Sequence, residues 1–340
     1  MRSSTANLWE KGGDEEGIVW LVLSLQERSF CTFSILRNIV SRTKAHGEER
    51  TFMRLAIFCG VVVVMVLIGI PASAQVPTLV LYDNFETKVL DSNKWFGKES
   101  SDAGLFTLES VRQIKTEPLF GFRGLDILNR SYASEGLDDG NSVSYTRLLF
   151  PDGNSVSTIQ AVVLVKKIQA TGCSTNTFAT APRLRIGGMF FNPASVTPPD
   201  STNDVLAFIT VGRESDSENP SGVLDILGSV RRCGDATCSG ANTTQIGEEL
   251  LGTVNVNQKI KLRVTWDPGN NRFVFQKGKG PEVSIGYADN DGFPPGTANG
   301  GNKRLEVQHQ IPNCASGASR PIAYMEAYFD DIKVNVSDGM

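Results

Sequence analysis

Residues 259–276 read KIKLRVTWDPGNNRFVFQ. Ile260, Leu262, Val264 and Trp266 alternate with Lys259, Lys261, Arg263 and Thr265. A period of two gives a strand with one buried and one wet face. The DPGNN that follows is dense in turn formers, and RFVFQ then sets Phe273 and Phe275 on one face. The stretch therefore predicts a β-hairpin, with Trp266 continuing the buried face of its first strand.

Similar short apolar stretches recur on both sides. They are STIQAVVLVKKI (157–168), RLRIGGMFF (183–191), DVLAFITVG (204–212), GVLDILGSVRR (222–232), PEVSIGY (281–287), KRLEVQHQI (303–311) and YMEAYFDDIKVNV (324–336). Gly, Asn, Asp, Pro and Ser separate them, and no long helical period intervenes. Many strands joined by such turns predict an all-β, two-sheet antiparallel sandwich. Residues 242–250, NTTQIGEEL, break the alternation and read as a short helix or a wide turn.

Upstream, Met53 and Arg54 precede an uncharged run from Leu55 to Ile70, and Pro71-Ala72-Ser73-Ala74 precede Gln75. A basic start, an apolar middle and an A-x-A ending make residues 53–74 a signal peptide. About twenty apolar residues also span a bilayer, but Pro71 and the small-residue tail favour cleavage over anchoring. Gly47-Glu48-Glu49-Arg50 has purine-only codons available, spaced from Met53 like a bacterial ribosome-binding site. The expectation is translation from Met53, with residues 1–52 an upstream extension that is disordered or not translated. The β-sandwich domain then occupies 75–340, in a secreted, periplasmic or cell-surface protein that meets the membrane only through its signal.

The chain is mildly acidic, with a net charge of −4. It has no basic stripe, and this argues against a nucleic-acid partner, whose phosphates need neutralising. Lys166-Lys167 and Arg231-Arg232 read as solvated strand ends. Four cysteines follow position 75, and in an exported chain they read as two disulfides. The Gly-Asp turn in CGDATC favours Cys233–Cys238 and leaves Cys173–Cys314 as a long-range staple. Their spacing does not suit zinc, and His309 is the one histidine in this region.

Three segments, in order, resemble the concanavalin A-like lectin and glucanase superfamily. They are LYDNFETKVLDSNKWFG (81–97), LRVTWDPGNNRFVFQKG (262–278) and AYFDDIKVNV (327–336). The resemblance implies a jelly-roll whose first and last strands are neighbours. It covers lectins, laminin-G-like modules and laminarinase-type glycosidases, so it does not settle function.

Enzymes of that superfamily commonly carry Glu-x-Asp-x-Glu on one strand, since sugar hydrolysis takes two carboxyl groups facing one bond. The chain has no such motif. The nearest candidates are Glu326 with Asp330, in a closing strand where the resemblance makes Asp330 and Asp331 structural, and Asp138-Asp139 in a turn. A Ser-His-Asp triad would need His309, which sits in a strand-like alternation without a nucleophile elbow and reads as a surface or cross-strand polar residue. The loop GYADNDGFPPGTANGGN (286–302) groups Tyr287, Asp289, Asn290, Asp291 and Phe293, an aromatic and polar set suited to a sugar. Within it Asp289 and Asp291 are the candidates for calcium, a possible cofactor. The reading is a secreted, non-catalytic carbohydrate- or surface-binding module whose partner is a polysaccharide or cell-surface glycan. A divergent laminarinase-type hydrolase and a structural or adhesive envelope protein are the rival readings.

Overall fold

The computed structural model describes residues 78–101, 106–117, 121–133, 140–151, 156–191, 201–236, 238, 242–288 and 303–335. Within them the chain forms β1 (Leu79–Asp83), β2 (Phe96–Ser101), β3 (Phe106–Glu117), β4 (Phe122–Tyr132) and β5 (Asn141–Leu149). Next come β6 (Thr158–Ala170), β7 (Ala181–Phe191), β8 (Val205–Gly212), β9 (Val223–Cys233) and β10 (Thr243–Asn255). The last five are β11 (Ile260–Asp267), β12 (Arg272–Lys277), β13 (Glu282–Gly286), β14 (Lys303–Pro312) and β15 (Ile322–Asn335).

They build two antiparallel sheets. The eight-stranded sheet runs β13-β12-β11-β6-β15-β4-β3, with β1 also paired to β15. The seven-stranded sheet runs β10-β9-β8-β7-β14-β5-β2. This is the two-sheet sandwich expected, and pairing of Leu79 with Asn335 brings the first and last strands together. The hairpin forms as read. Val264 faces Phe275 and Trp266 faces Phe273 across β11 and β12, and Asn271 closes the turn with φ 47°. Inward side chains of both sheets, among them Ile127, Val163, Ile186, Ile209, Ile226 and Phe273, make one core.

The DNF…KW segment has a specific job. Asp83 is buried, and its two oxygens accept from the Phe85 backbone N–H at 2.8 Å and from Trp95 Nε1 at 2.7 Å. The first bond holds Phe85 at a positive φ of 52°, which turns its ring beside Trp95 at 5.8 Å. Tyr82 and Phe150 close the other sides of the indole at 5.2 and 4.7 Å. Trp95→Phe keeps the ring contacts but removes the donor from a buried carboxylate. Urea unfolding is expected to show a loss of about 2 kcal/mol, the worth of a hydrogen bond to a charged group.

Of residues 242–250, Asn242 ends a 3-10 turn, and Thr243 onward form neither a helix nor a wide turn. They open β10, an edge strand paired to β9 with register shifts at Gln245/Gly247 and Leu250/Gly252. Each bulge resets the in–out parity, so Ile246 and Leu251 both reach the core although the sequence does not alternate. Disulfides join Cys173 to Cys314 and Cys233 to Cys238, the pairing expected.

Candidate functional site

The sequence candidates scatter. Tyr287 is turned inward: its ring lies 5.6 Å from Phe273 and its hydroxyl accepts from Trp266 Nε1 at 2.9 Å. It is a core residue, drawn in because an aromatic body with one satisfied polar atom is stable there. Asp289, Asn290, Asp291 and Phe293, and with them the calcium candidates, lie outside the described residues, as do Asp138 and Asp139. Glu326 and Asp330 are four residues apart on β15, about 13 Å along a strand, too far to flank one sugar bond. Asp330 instead accepts from the Asp331 N–H at 2.7 Å, at a bulge where Asp331 adopts φ 51°. His309 is fully buried between the sheets rather than on the surface.

The partner that the structure gives Glu326 is Asp126. The β15–β4 register sets Glu326 opposite Leu128 and Tyr328 opposite Asp126, so the two carboxylates share the outer face of the eight-stranded sheet. Lys115 of β3 reaches between them, with Nζ 3.2 Å from Glu326 Oε1 and 3.5 Å from Asp126 Oδ2. Gln113 donates to Asp126 at 2.9 Å, and the Tyr324 hydroxyl donates to Glu326 at 3.4 Å. Burial raises the Asp126 carboxyl above its usual range, against the pull of Gln113 and Lys115. Burial also pushes the Tyr324 phenol up to about 12, helped by Glu326. Both carboxylates contact the one ammonium, and Asp126 is 1% and Glu326 8% exposed. The lysine takes the space between them, so the arrangement ties β3, β4 and β15 together.

Beside this cluster, on the β4, β6 and β15 side, opens a cleft of about 760 Å³. Tyr324 and Arg130 come from neighbouring positions on β15 and β4, with the guanidinium 5.9 Å from the ring centre. Lys166 and Lys167 enter at a β6 bulge opposite Glu326/Ala327. Both line the cleft, Lys166 half-buried and Lys167 exposed. Gln169 follows on β6. Arg213, just past β8, donates to the carbonyls of Ser217 and Asn219 at 3.1 and 3.0 Å.

The outer face of the seven-stranded sheet carries a different cluster. Glu306 of β14 is fully buried. Arg304 Nε lies 2.7 Å, Arg185 Nη1 3.1 Å and Arg147 Nε 3.2 Å from its oxygens. Burial pushes the carboxyl up, but the three guanidiniums outweigh it and hold Glu306 at about 2. Burial brings Arg185 down to about 10 against the opposing pull of Glu306. Phe208 packs beneath Arg185 at 3.7 Å and Tyr145 beneath Arg147 at 3.9 Å. Central β8 turns Leu206, Phe208 and Thr210 to this face, as its register with Met189, Gly187 and Arg185 requires. A second opening on this sheet, of about 450 Å³, has Asp225 of β9, Glu248 of β10 and, from the segment after β8, Glu214 and Glu218 in its lining; Asp225 accepts from Asn219 Nδ2 at 2.8 Å there.

Sequence reasoning missed Asp126, Lys115, Glu306 and the arginines. The one local signal was polar side chains two apart in strand-like stretches, as in Arg304-x-Glu306 and Tyr324-x-Glu326-x-Tyr328.

No protein-family model and no curated protein sequence matches the chain. Among solved structures it is similar to Rv0315, an immunostimulatory antigen and pseudo β-1,3-glucanase of Mycobacterium tuberculosis. The identity is 14%, over 76% of this chain and 98% of that one, with a TM-score of 0.33. It is also similar to the catalytic domain of the endo-1,3-β-glucanase (laminarinase) of Thermotoga petrophila RKU-1, at 11% identity over 75% and 99% of the two chains and a TM-score of 0.35. The carbohydrate recognition domain of Emp47p matches at 14% identity over 74% and 94%, with a TM-score of 0.26.

Proposed function

We propose that the protein is a non-catalytic carbohydrate-binding β-sandwich module, acting outside the cytoplasm, whose ligand seats in the cleft over β4, β6 and β15. The observation that carries this reading is the contrast between two neighbouring features. The cleft is open and places the Tyr324 ring among long polar side chains, the combination that stacks on sugar C–H groups and bonds hydroxyls. The adjoining carboxylate pair, Asp126 and Glu326, is sealed under Lys115. Two disulfides support an oxidising compartment.

Isothermal titration of the purified protein against a panel of neutral and acidic oligosaccharides tests the reading. At least one is expected to bind, and Tyr324→Ala, which removes the ring, is expected to weaken it about tenfold. Binding to none of the panel overturns the proposal. Turnover of a β-glucan that disappears in Glu326→Gln replaces it with the hydrolase reading.

A further inference from the structure

We infer that the saccharide recognised by this cleft is anionic, bearing a carboxylate or a sulfate ester. The inference rests on the binding role proposed above and names the ligand class of that same site.

The charge of the lining is the starting point. The chain as a whole is acidic, at −4, yet Arg130, Lys166, Lys167 and Arg213 all face this cleft, against one carboxylate, Glu109. Two of the four cations are occupied to different degrees. Lys166 is held by Glu117 at 2.6 Å, with both groups largely buried. Arg130 meets Glu109 at 3.6 Å, with the two side chains 42% and 48% exposed, a pair weak enough to rearrange. The other two have no carboxylate. The Lys167 side chain makes no ion pair or hydrogen bond among the described residues, and its backbone pairs with Glu326. Arg213 is bonded to backbone carbonyls, which position the guanidinium without neutralising it.

A neutral sugar offers hydroxyl groups and is best met by carboxylate and amide acceptors. This lining has one amide, Gln169, and its one carboxylate is engaged with Arg130. Ammonium and guanidinium groups donate only. A concave site of one charge sign concentrates its potential on the opposite sign. A carboxylate or sulfate between Lys167 and Arg213 gains charge-assisted hydrogen bonds, while Tyr324 takes the face of the ring that carries it. The few cations suit one or two acidic sugar units rather than a nucleic-acid backbone, which needs many phosphate contacts.

Titration calorimetry with the full chain tests this, using oligogalacturonate for the carboxylate, a sulfated dextran oligomer for the sulfate and a laminari-oligosaccharide of equal length as the neutral probe. Polyglutamate serves as the sugar-free anion. An acidic probe is expected to bind at least about tenfold tighter than the neutral one, with affinity falling as salt rises. Whichever acidic probe binds identifies the anion. Exposed Lys167→Gln, a change with no side-chain partner to lose, is expected to weaken that probe several-fold and the neutral probe by much less. Arg213→Gln is expected to do the same. Neutral and acidic probes binding alike, both sensitive to Tyr324→Ala, would overturn the inference while leaving the binding role intact. Polyglutamate binding as tightly as the acidic sugars would overturn it as saccharide recognition. Failure of every saccharide removes the binding role itself.

Discussion

Glu306→Leu is expected to lower the unfolding free energy by about 3–5 kcal/mol, the range for removing one partner from a buried ion network. The carboxylate is the common counter-charge of guanidiniums from β5, β7 and β14, three adjacent strands of the seven-stranded sheet. Leucine fills similar space, so the loss comes from charge rather than from a cavity. The arginines cannot simply turn into water. Arg185 is stacked on Phe208 and Arg147 on Tyr145, and their side chains are only 12% and 14% exposed. The Nε of Arg185 is buried without a hydrogen-bond partner even in the intact protein, so the site has little capacity left to absorb a further loss. Glu306→Gln keeps the shape and one acceptor oxygen and is expected to retain a minority of the stability. Equilibrium urea unfolding of the three proteins checks this. A leucine variant within about 1 kcal/mol of the parent would show that the cluster is already solvated or otherwise neutralised.

The same chemistry explains what could be read in the sequence and what could not. The β11–β12 hairpin was legible because its inward residues are apolar and its outward ones charged, so burial is written into the alternation. The opening segment was legible as a resemblance, and the structure supplies the reason: Asp83, Phe85 and Trp95 form one hydrogen-bonded aromatic unit. Strand β5 carried no such signal. Its inward residues begin Ser142, Ser144 and Thr146, and β4 turns Asn129 and Ser131 toward them. A polar interior hides the period of two. These groups satisfy one another, with Ser131 Oγ 2.8 Å from Ser144 Oγ and 3.0 Å from Asn129 Oδ1, and Asn129 Nδ2 3.1 Å from Ser144. Strand β10 was misread because two bulges break its alternation. The site clusters were out of reach for a different cause. Lys115, Asp126 and Glu326 meet only through strand pairing across 211 residues of chain, and pairing partners are not encoded locally. Tyr287 shows the converse error: a loop-like composition suggested exposure, while Phe273 and Trp266 hold the ring in the core.

His309 gives the expected acid sensitivity its main histidine component. It faces inward from β14 into the same polar layer, with Nδ1 3.2 Å from Ser131 Oγ and Nε2 buried without a partner. Burial brings its pKa down to about 3, so the folded protein keeps the ring neutral where an unfolded chain protonates it near 6.5. The unfolded state therefore binds the extra proton, and stability falls as pH drops from about 6.5 toward 3, by about 1.4 kcal/mol per pH unit once the unfolded ring is fully protonated. Glu306 has the same sign in a lower window. Its depressed pKa gives stability that is complete above the ordinary glutamate value and is lost as pH falls toward 2. Asp126, raised by burial, acts in the opposite sense and takes up a proton early in the folded state. These carboxylates are common to the parent and a His309 variant, so the difference between the two between about pH 6.5 and 5 isolates the histidine. His309→Leu removes the orphaned Nε2, and Ser131 keeps its bonds to Asn129 and Ser144. Denaturant unfolding across this interval is expected to show the variant gaining on the parent as pH falls, with the relative gain reaching about 2 kcal/mol near pH 5. Equal slopes in the two proteins would mean that water reaches the ring and that it titrates in place.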